Sequence, residues 1–160
     1  MTITQDFEAV VARLAGIPCW SVLISGVGSL ANLHFGQKIE RAQHLVHPNF
    51  KITPEESVYE GEIVLYLEEC PWRLDGVDAV LCTWMQDTAK IAAELVKLRG
   101  DVVLEATVTR PAYDLTIRFE SGCVLRVFPD QSNPDEGDNY SVAHAGKTYV
   151  LAANSTLYME

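Results

Sequence analysis

An alternation of apolar and polar residues over 113–128 is the clearest structural signal in the chain. Its first part is apolar at every second position, which is typical of a strand with one buried face: Leu115, Ile117 and Phe119. A three-residue loop at 120–122, with Gly122 in the left-handed conformation, would close a hairpin. This loop predicts cross-strand pairs that are all apolar, namely Phe119 with Cys123, Ile117 with Leu125 and Leu115 with Val127.

Helical spacing predicts two amphipathic helices, and strand patterns occupy most of the remaining chain. The first helix is expected over 4–14, with Thr4 as its N-cap, and the second over 87–98. The polar stretch 37–60 has no clear period. Strands are predicted at 19–25, 30–35, 61–68, 72–74, 77–84, 102–109, 113–120, 123–128, 139–144, 147–152 and 155–159.

The order of these elements repeats along the chain. The sequence correspondences are Leu14-Ala-Gly16 with Leu98-Arg-Gly100, Phe35 with Phe119, and Trp72-Arg-Leu74 with Tyr140-Ser-Val142. We therefore predict an α+β fold of two pseudo-symmetric repeats, 1–85 and 86–160, each a helix followed by about five antiparallel strands. Because such a unit cannot bury its helix and sheet alone, the repeats should pack about a pseudo-twofold axis as one domain, 1–160.

The first repeat differs from the second by an insertion at 37–60. A loop of this length in a compact domain is usually functional or disordered. The second repeat has its own acidic, turn-rich segment at 130–139. Since binding residues are often carried by loops, we expect specificity in these two segments. The candidate binding residues there are His44, His47, Asp130, Asp135 and Glu136.

The composition is that of a globular chain with an acidic surface. Hydrophobic residues make up 48% and charged residues 21%, which suits a folded domain. The 22 acidic and 12 basic residues give a formal charge of -10, which argues against nucleic acid or an anionic membrane and permits a basic protein partner. The N-terminus lacks the features of a signal peptide and no apolar run reaches membrane-spanning length, so we expect a cytoplasmic protein.

Candidate chemical motifs are weak. His44 and His47 could bind a metal from one helix face, but no third ligand lies near them in sequence. The segment 26–31 follows a strand, yet it lacks the acidic residue that a dinucleotide site needs. We therefore predict no metal and no cofactor, and we favour a non-enzymatic protein over an enzyme. The cysteines lack metal-ligand spacing and are expected to be small buried residues: Cys19, Cys70, Cys82 and Cys123.

Aromatic residues offer a further candidate site. Trp72 and Tyr140 could line a groove between the repeats. Because they occupy equivalent positions, a buried aromatic pair is the simpler interpretation. The alternative is a small-ligand pocket or enzyme site between the repeats that uses Trp72, Arg73 and Tyr140.

The run from Asp114 to Asp130, followed by Asp138-Asn-Tyr140-Ser-Val142, resembles a pattern of a family of small bacterial proteins of unknown function. That pattern reads DL-x-L-x-F-x-x-G-x-x-L-x-V-F-x-D, followed by an acidic loop and N-Y/W-S. Trp72-Arg-Leu74 resembles the tryptophan motif of the same proteins. Some small acidic bacterial proteins of this type are immunity proteins, which neutralise a toxin domain. The resemblance thus suggests an immunity-type inhibitor of a basic partner, and a homodimeric structural protein is a further hypothesis.

Overall fold

The computed structural model describes residues 1–24, 30–46, 52–68, 70–130 and 137–160. Within these ranges the chain is an α+β fold of short helices and antiparallel strands, which confirms the α+β part of the fold prediction. None of the helices in this part of the chain has the length and apolar character needed to cross a membrane. The helices are α1 (Ile3–Ala12), α2 (Pro54–Val58) and α3 (Thr88–Leu95), which a 3-10 turn at Val96–Leu98 continues.

The strands form two antiparallel sheets, and each sheet takes strands from both halves of the chain. The strands are β1 (Cys19–Ile24), β2 (Ala31–Glu40), β3 (Tyr59–Leu67), β4 (Trp72–Asp75), β5 (Val80–Thr83), β6 (Val103–Thr109), β7 (Asp114–Phe119), β8 (Val124–Val127), β9 (Tyr140–His144), β10 (Lys147–Ala152) and β11 (Thr156–Met159). The six-stranded sheet has the order β1-β2-β3-β9-β10-β11, and the five-stranded sheet has the order β5-β4-β8-β7-β6. The halves therefore join where β3 pairs with β9 and where β4 pairs with β8.

One hydrophobic cluster fills the space between the sheets and includes residues of both longer helices. Helix α1 contacts β6 and β11, and α3 contacts β5 and β1. Because these are edge strands, each helix bridges one edge of each sheet and closes one side of the core. The expected buried thiols are confirmed for Cys19, Cys70 and Cys82, which are free and lie in this cluster.

The hairpin predicted over 113–128 is confirmed. Leu115 lies opposite Val127 and Ile117 opposite Leu125 where β7 pairs with β8. The loop has the expected geometry, with the Phe119 N–H donating to the Cys123 carbonyl at 2.9 Å and Gly122 at a φ of +94°. The alternation of apolar residues therefore sets the register.

The predicted start of α1 was wrong by two residues. The N-cap is Thr2, whose hydroxyl accepts a hydrogen bond from the Gln5 N–H at 3.1 Å. The Gln5 side chain in turn accepts from the Thr2 N–H at 3.0 Å, which completes a capping box. Thr4 lies inside the helix and bonds through its hydroxyl to the Tyr113 hydroxyl at 2.9 Å.

The insertion 37–60 is only partly a loop. β2 continues to Glu40 and β3 begins at Tyr59, so the hairpin of these strands extends well past the predicted end of β2 at residue 35. Between these two strands in the chain lies α2, with Thr53 as its N-cap and Glu56 completing a capping box. The extended hairpin continues the six-stranded sheet, and α2 is joined to β1 of that sheet by the hydrogen bond from the Ser21 hydroxyl to Glu56.

Candidate functional site

A concave pocket of about 460 Å³ lies on the outer face of the six-stranded sheet, the face turned away from the core. Its floor consists of side chains from β3, β9 and β10, namely Val64, Tyr66, Ala143 and Thr148. Val64 lies opposite Ala143 where β3 pairs with β9. Strand alternation turns their neighbours Leu65 and Val142 into the core. The pocket therefore lies where strands from the two halves of the chain meet.

The wall of the pocket comes from the extended hairpin and carries two carboxylates. Glu60 and Glu62 are two residues apart on β3, so both lie on the same face as Val64. The Glu62 Oε1 atom accepts a hydrogen bond from the Gln37 N–H at 3.1 Å. The register shifts beside this bond at Gly36, whose φ of +81° favours glycine. The Glu62 carboxylate is thus held in place at the wall.

The opposite rim is the turn between β9 and β10. His144 Nδ1 donates a hydrogen bond to the Glu62 carbonyl at 3.1 Å, which ties the rim to the wall. The Lys147 Nζ atom lies 3.6 Å from Asp6 Oδ2. Asp6 offsets part of the charge of Lys147, so Lys147 counters the acidic wall less than an unpaired lysine would.

Arg41 connects the wall of the pocket to α2. Its Nε atom donates to the Glu56 carbonyl at 3.2 Å, and its Nη1 atom lies 3.7 Å from Glu60 Oε2. Beneath this pair, burial and then the Glu60 carboxylate raise the pKa of Tyr66. The phenol of Tyr66 is protonated at neutral pH, as an ordinary tyrosine is, and can donate a hydrogen bond.

The Glu56 side chain fastens α2 to the sheet and is only 4% exposed. Its carboxylate accepts hydrogen bonds from the Ser21 hydroxyl, from Arg99 Nη2 at 3.1 Å and from the Thr53 N–H at 3.1 Å. The same Nη2 atom of Arg99 donates to the Val22 carbonyl at 3.0 Å. A buried carboxylate is tolerated when cationic and neutral donors surround it, as they do here.

Replacing Glu56 by glutamine is expected to lower the free energy of unfolding by about 2 kcal/mol, because charge-assisted hydrogen bonds from Arg99 become neutral ones in a buried site. Urea unfolding measures this change. The control is Glu55→Gln, since Glu55 is half-exposed and pairs with exposed Lys38, so the loss of its charge should cost less than about 0.5 kcal/mol. Equal stability of the two variants would show that the Glu56 cluster does not fasten α2.

Ser21, His34 and Glu56 are close together but do not form a nucleophile and base. The ring of His34 accepts a hydrogen bond at Nδ1 from the Gly61 N–H at 3.0 Å, so its proton lies on Nε2. Ser21 lies opposite His34 across β1 and β2, yet its hydroxyl donates to Glu56. Burial, and after it the charge of Arg41, lowers the pKa of His34 to about 3. The arrangement therefore stabilises the fold rather than activating the serine.

The outer face of the five-stranded sheet differs from the pocket face in chemistry. Where β4 pairs with β8, Arg73 lies opposite Arg126. Both guanidinium groups bind Asp75, with Arg73 Nε 2.7 Å from Oδ1 and Arg126 Nε 2.9 Å from Oδ2. At the corresponding junction of the six-stranded sheet, Tyr66 lies opposite Ser141. One outer face is thus charged and paired within itself, whereas the other has a neutral floor beneath an acidic wall.

No protein-family model, curated protein or solved structure matches the chain. The resemblance to small bacterial proteins therefore stays a prediction. Inference about function starts from the residues of the pocket. Within the described ranges, no group of three or more histidine, cysteine, aspartate or glutamate residues is placed to hold a metal ion.

The proposed aromatic groove is not open to solvent. Trp72 and Tyr140 are 1% and 0% exposed and belong to the core. The Tyr140 hydroxyl donates to the Tyr113 carbonyl at 2.8 Å, which satisfies its polar group inside the protein. Their burial favours the core interpretation and corrects the use of these two residues as groove-lining ligands.

The other predicted binding residues that the structure describes, Arg73, His44 and Asp130, do not line the pocket. Arg73 is on the outer face of the five-stranded sheet, and its guanidinium lies 5.4 Å from the centre of the Phe128 ring. His44 is exposed, with Nε2 3.4 Å from Glu40 Oε1. The Asp130 N–H donates to Asn139 Oδ1 at 2.9 Å. The remaining candidates fall outside the described residues: His47, Asp135 and Glu136.

Sequence reasoning missed the pocket because most of its residues lie on strands rather than in loops. A signal was present in Glu60-Gly61-Glu62, where a glycine interrupts a strand between two acidic residues. Glycine inside a strand often marks a bulge or a close approach of backbone. That signal locates an irregular strand, but the strand order that brings His144 and Lys147 to the same place is not visible in the pattern.

Proposed function

We propose that the protein is a non-enzymatic, cytoplasmic binding protein of the immunity-inhibitor type, whose pocket face receives a basic protein partner. The observation that carries the proposal is the concave pocket with a neutral floor and a wall of two carboxylates, Glu60 and Glu62. The formal charge of -10 would attract a basic partner from a distance and speed association. The pocket would then supply a specific contact.

An exposed apolar residue beside the wall supports a protein partner. Ile39 is 48% exposed on the extended hairpin. It pairs with Glu60, so the two side chains lie on the same face of the hairpin. An apolar residue within a polar rim is typical of protein interfaces.

The proposal includes the pseudo-symmetric repeats 1–85 and 86–160, which would exchange strands between the sheets. Two observations support it. The orders β1-β2-β3-β9-β10 and β6-β7-β8-β4-β5 coincide when the first five strands are matched with the next five. Backbone hydrogen bonds between the halves also occur in matched pairs: Gly16 N–H to Val103 O at 2.7 Å with Gly100 N–H to Cys19 O at 2.7 Å, and Cys19 N–H to Asp101 O at 2.9 Å with Val103 N–H to Ile17 O at 3.0 Å.

The repeats explain why the pocket is a functional candidate. On this interpretation, the extended hairpin and α2 are additions to the first repeat alone. The hairpin contributes Ile39 and Glu60 to the wall of the pocket, and Arg41 joins α2 to Glu60. The matched place in the second repeat is the short loop at 120–122. An element that a repeat does not need for folding is a natural place for binding residues.

The partner is expected to lose affinity when the wall is neutralised. We expect Glu60→Gln combined with Glu62→Gln to raise Kd roughly 100-fold, because a cation of the partner would lose both carboxylates. The candidate partners are the products of genes adjacent to its own, co-expressed and purified with it, and Kd is measured by calorimetry.

The matched control is Glu105→Gln combined with Glu120→Gln, which removes the same charge from exposed positions outside the pocket lining. Affinity of the control should change less than about threefold, and binding of the unmodified protein should weaken as salt is added. An equal loss of affinity in both double variants, or an affinity that does not change with salt concentration, would contradict the proposal.

A small-ligand site is the second candidate function, and the pocket volume favours it. About 460 Å³ lies within the range of roughly 300–1,000 Å³ that small-molecule sites occupy. A thermal-shift screen against a metabolite library separates the two functions. A ligand at a hundred times its Kd would add about 2.7 kcal/mol of stability, and Glu62→Gln should remove that gain. Light scattering of the purified protein tests the further hypothesis of a homodimer.

A further inference from the structure

We propose that the concave pocket binds one arginine side chain of the partner, with the guanidinium at Glu62 and the aliphatic part over the floor. This inference rests on the proposed function, since it assumes a basic partner on this face. It adds the chemical group that is recognised and the atoms that recognise it.

The outer face of β3 presents the groups that an arginine requires in a row. Glu62, Val64 and Tyr66 follow one another at every second position, so their side chains lie on the same face. Beside this row, Ala143 lies opposite Thr148 where β9 pairs with β10, and both are half-buried, so they offer accessible surface to the aliphatic part of an arginine. The phenol ring of Tyr66 offers a surface on which a guanidinium or its stem can stack.

The Glu62 carboxylate is arranged before any ligand arrives. Its Oε1 atom accepts the Gln37 N–H at 3.1 Å, while its backbone carbonyl accepts from His144 at 3.1 Å. The side chain also lies against Gly36, where an added Cβ would be 2.1 Å from Oε1. The Oε2 atom can still accept a hydrogen bond from a ligand. A carboxylate restrained in this way loses little conformational entropy on binding.

A second carboxylate favours arginine over lysine. Glu60 lies two residues from Glu62 on the same strand face and shares its charge with Arg41 at 3.7 Å. A guanidinium has five donors in a planar fork and can bind Glu62 while a remaining donor points toward Glu60. The ammonium group of lysine is a single point of charge and cannot span two carboxylates as well. The basic rim residue Lys147 is offset by Asp6 at 3.6 Å, so it opposes a cation less.

The test uses the full-length protein labelled with ¹⁵N and the peptide acetyl-Gly-Arg-Gly-amide as the probe. Amide shifts of Gly61, Val64 and Ala143 should saturate with a Kd of roughly 1 mM, as expected for one side chain. A peptide with citrulline in place of arginine has nearly the same shape without the charge. We expect it, and a lysine peptide to a lesser degree, to bind at least about fivefold more weakly.

Variants locate the contact. Glu62→Gln should weaken arginine-peptide binding at least about fivefold, whereas Glu62→Asp, which keeps the charge, should bind better than Glu62→Gln. Glu105→Gln should bind like the unmodified protein. Dispersed amide spectra establish that each variant is folded. Equal binding of the citrulline peptide, shifts centred outside the pocket, or an affinity unchanged by Glu62→Gln would overturn the inference.

The outcome is separable from that of the proposed function. If the partner loses affinity for the Glu60→Gln, Glu62→Gln variant but the arginine peptide does not bind, this inference fails and the proposed function stands. If the peptide binds at Glu62 but the partner binds the double variant as tightly as the unmodified protein, the proposed function fails. The arginine site then stands as a property of the pocket.

Discussion

Acidification from pH 6.5 to pH 4 is expected to lower the free energy of unfolding by about 3 kcal/mol through His34 alone. Burial, with the charge of Arg41 second, lowers the pKa of His34 to about 3 in the folded protein, whereas the unfolded chain should have a value near 6.5. Below pH 6.5 the unfolded chain therefore binds a proton that the folded protein does not. The contribution of His34 to the free energy of unfolding is fully present above pH 6.5. Below that pH it falls by about 1.4 kcal/mol per pH unit, until the folded protein also binds the proton near pH 3.

The structural cause is that the ring of His34 has no favourable place for a second proton. Nδ1 already accepts the Gly61 N–H at 3.0 Å. Among the described residues, Nε2 is buried without a hydrogen-bond partner. Protonation would thus place a charge beside Arg41 in a buried site and would break the bond to Gly61.

His34→Asn is the variant that isolates this effect. The asparagine oxygen can accept the Gly61 N–H in place of Nδ1, and the amide does not titrate. Urea unfolding of both proteins at pH 7, 5 and 4 gives the difference in slope. Carboxylates such as Asp75 titrate in both proteins, so their contribution cancels. Equal loss of stability in the two proteins on acidification would contradict the assignment to His34.

The fold could be predicted where one alternation of residues decides the structure. In the hairpin over 113–128, burial of Leu115, Ile117 and Phe119 on one face leaves a single register without mixed pairs, and that register is present. The end of β2 could not be predicted in this way. Beyond Phe35 the strand leaves the core, so its residues from Gln37 to Glu40 are exposed and carry no alternation.

The candidate site was less predictable, for a related physical reason. The pattern of β3 shows which residues face away from the core, but it does not show which other elements pack near them. α2 has five residues, too few for a helical period, although Thr53 and Glu56 have the spacing of a capping box. The contact of Glu56 with Arg99 joins residues 43 positions apart, and such a contact depends on strand order rather than on local sequence.

Gly61→Ala is expected to destabilise the protein by about 3 kcal/mol, at the upper end of what overpacking costs. An added Cβ would lie 2.6 Å from the Phe35 nitrogen, 2.8 Å from the Phe35 oxygen and 2.9 Å from the Ile63 oxygen. All three are backbone atoms of β2 and β3, so they cannot turn aside as a side chain would. The strands must separate, which also weakens the hydrogen bond from the Gly61 N–H to His34.

Two glycine variants serve as controls for Gly61→Ala in urea unfolding. Gly146→Ala meets no atom within 4 Å and has a φ of +78°, so it should cost only about 1 kcal/mol of backbone strain. Gly36→Ala would displace side-chain atoms of Glu62 rather than backbone atoms, which affects the pocket wall more than the sheet. A cost for Gly61→Ala no larger than that for Gly146→Ala would mean that β2 and β3 do not approach so closely. Since that approach places Glu60 and Glu62 at the wall, the measurement tests the geometry on which the pocket depends.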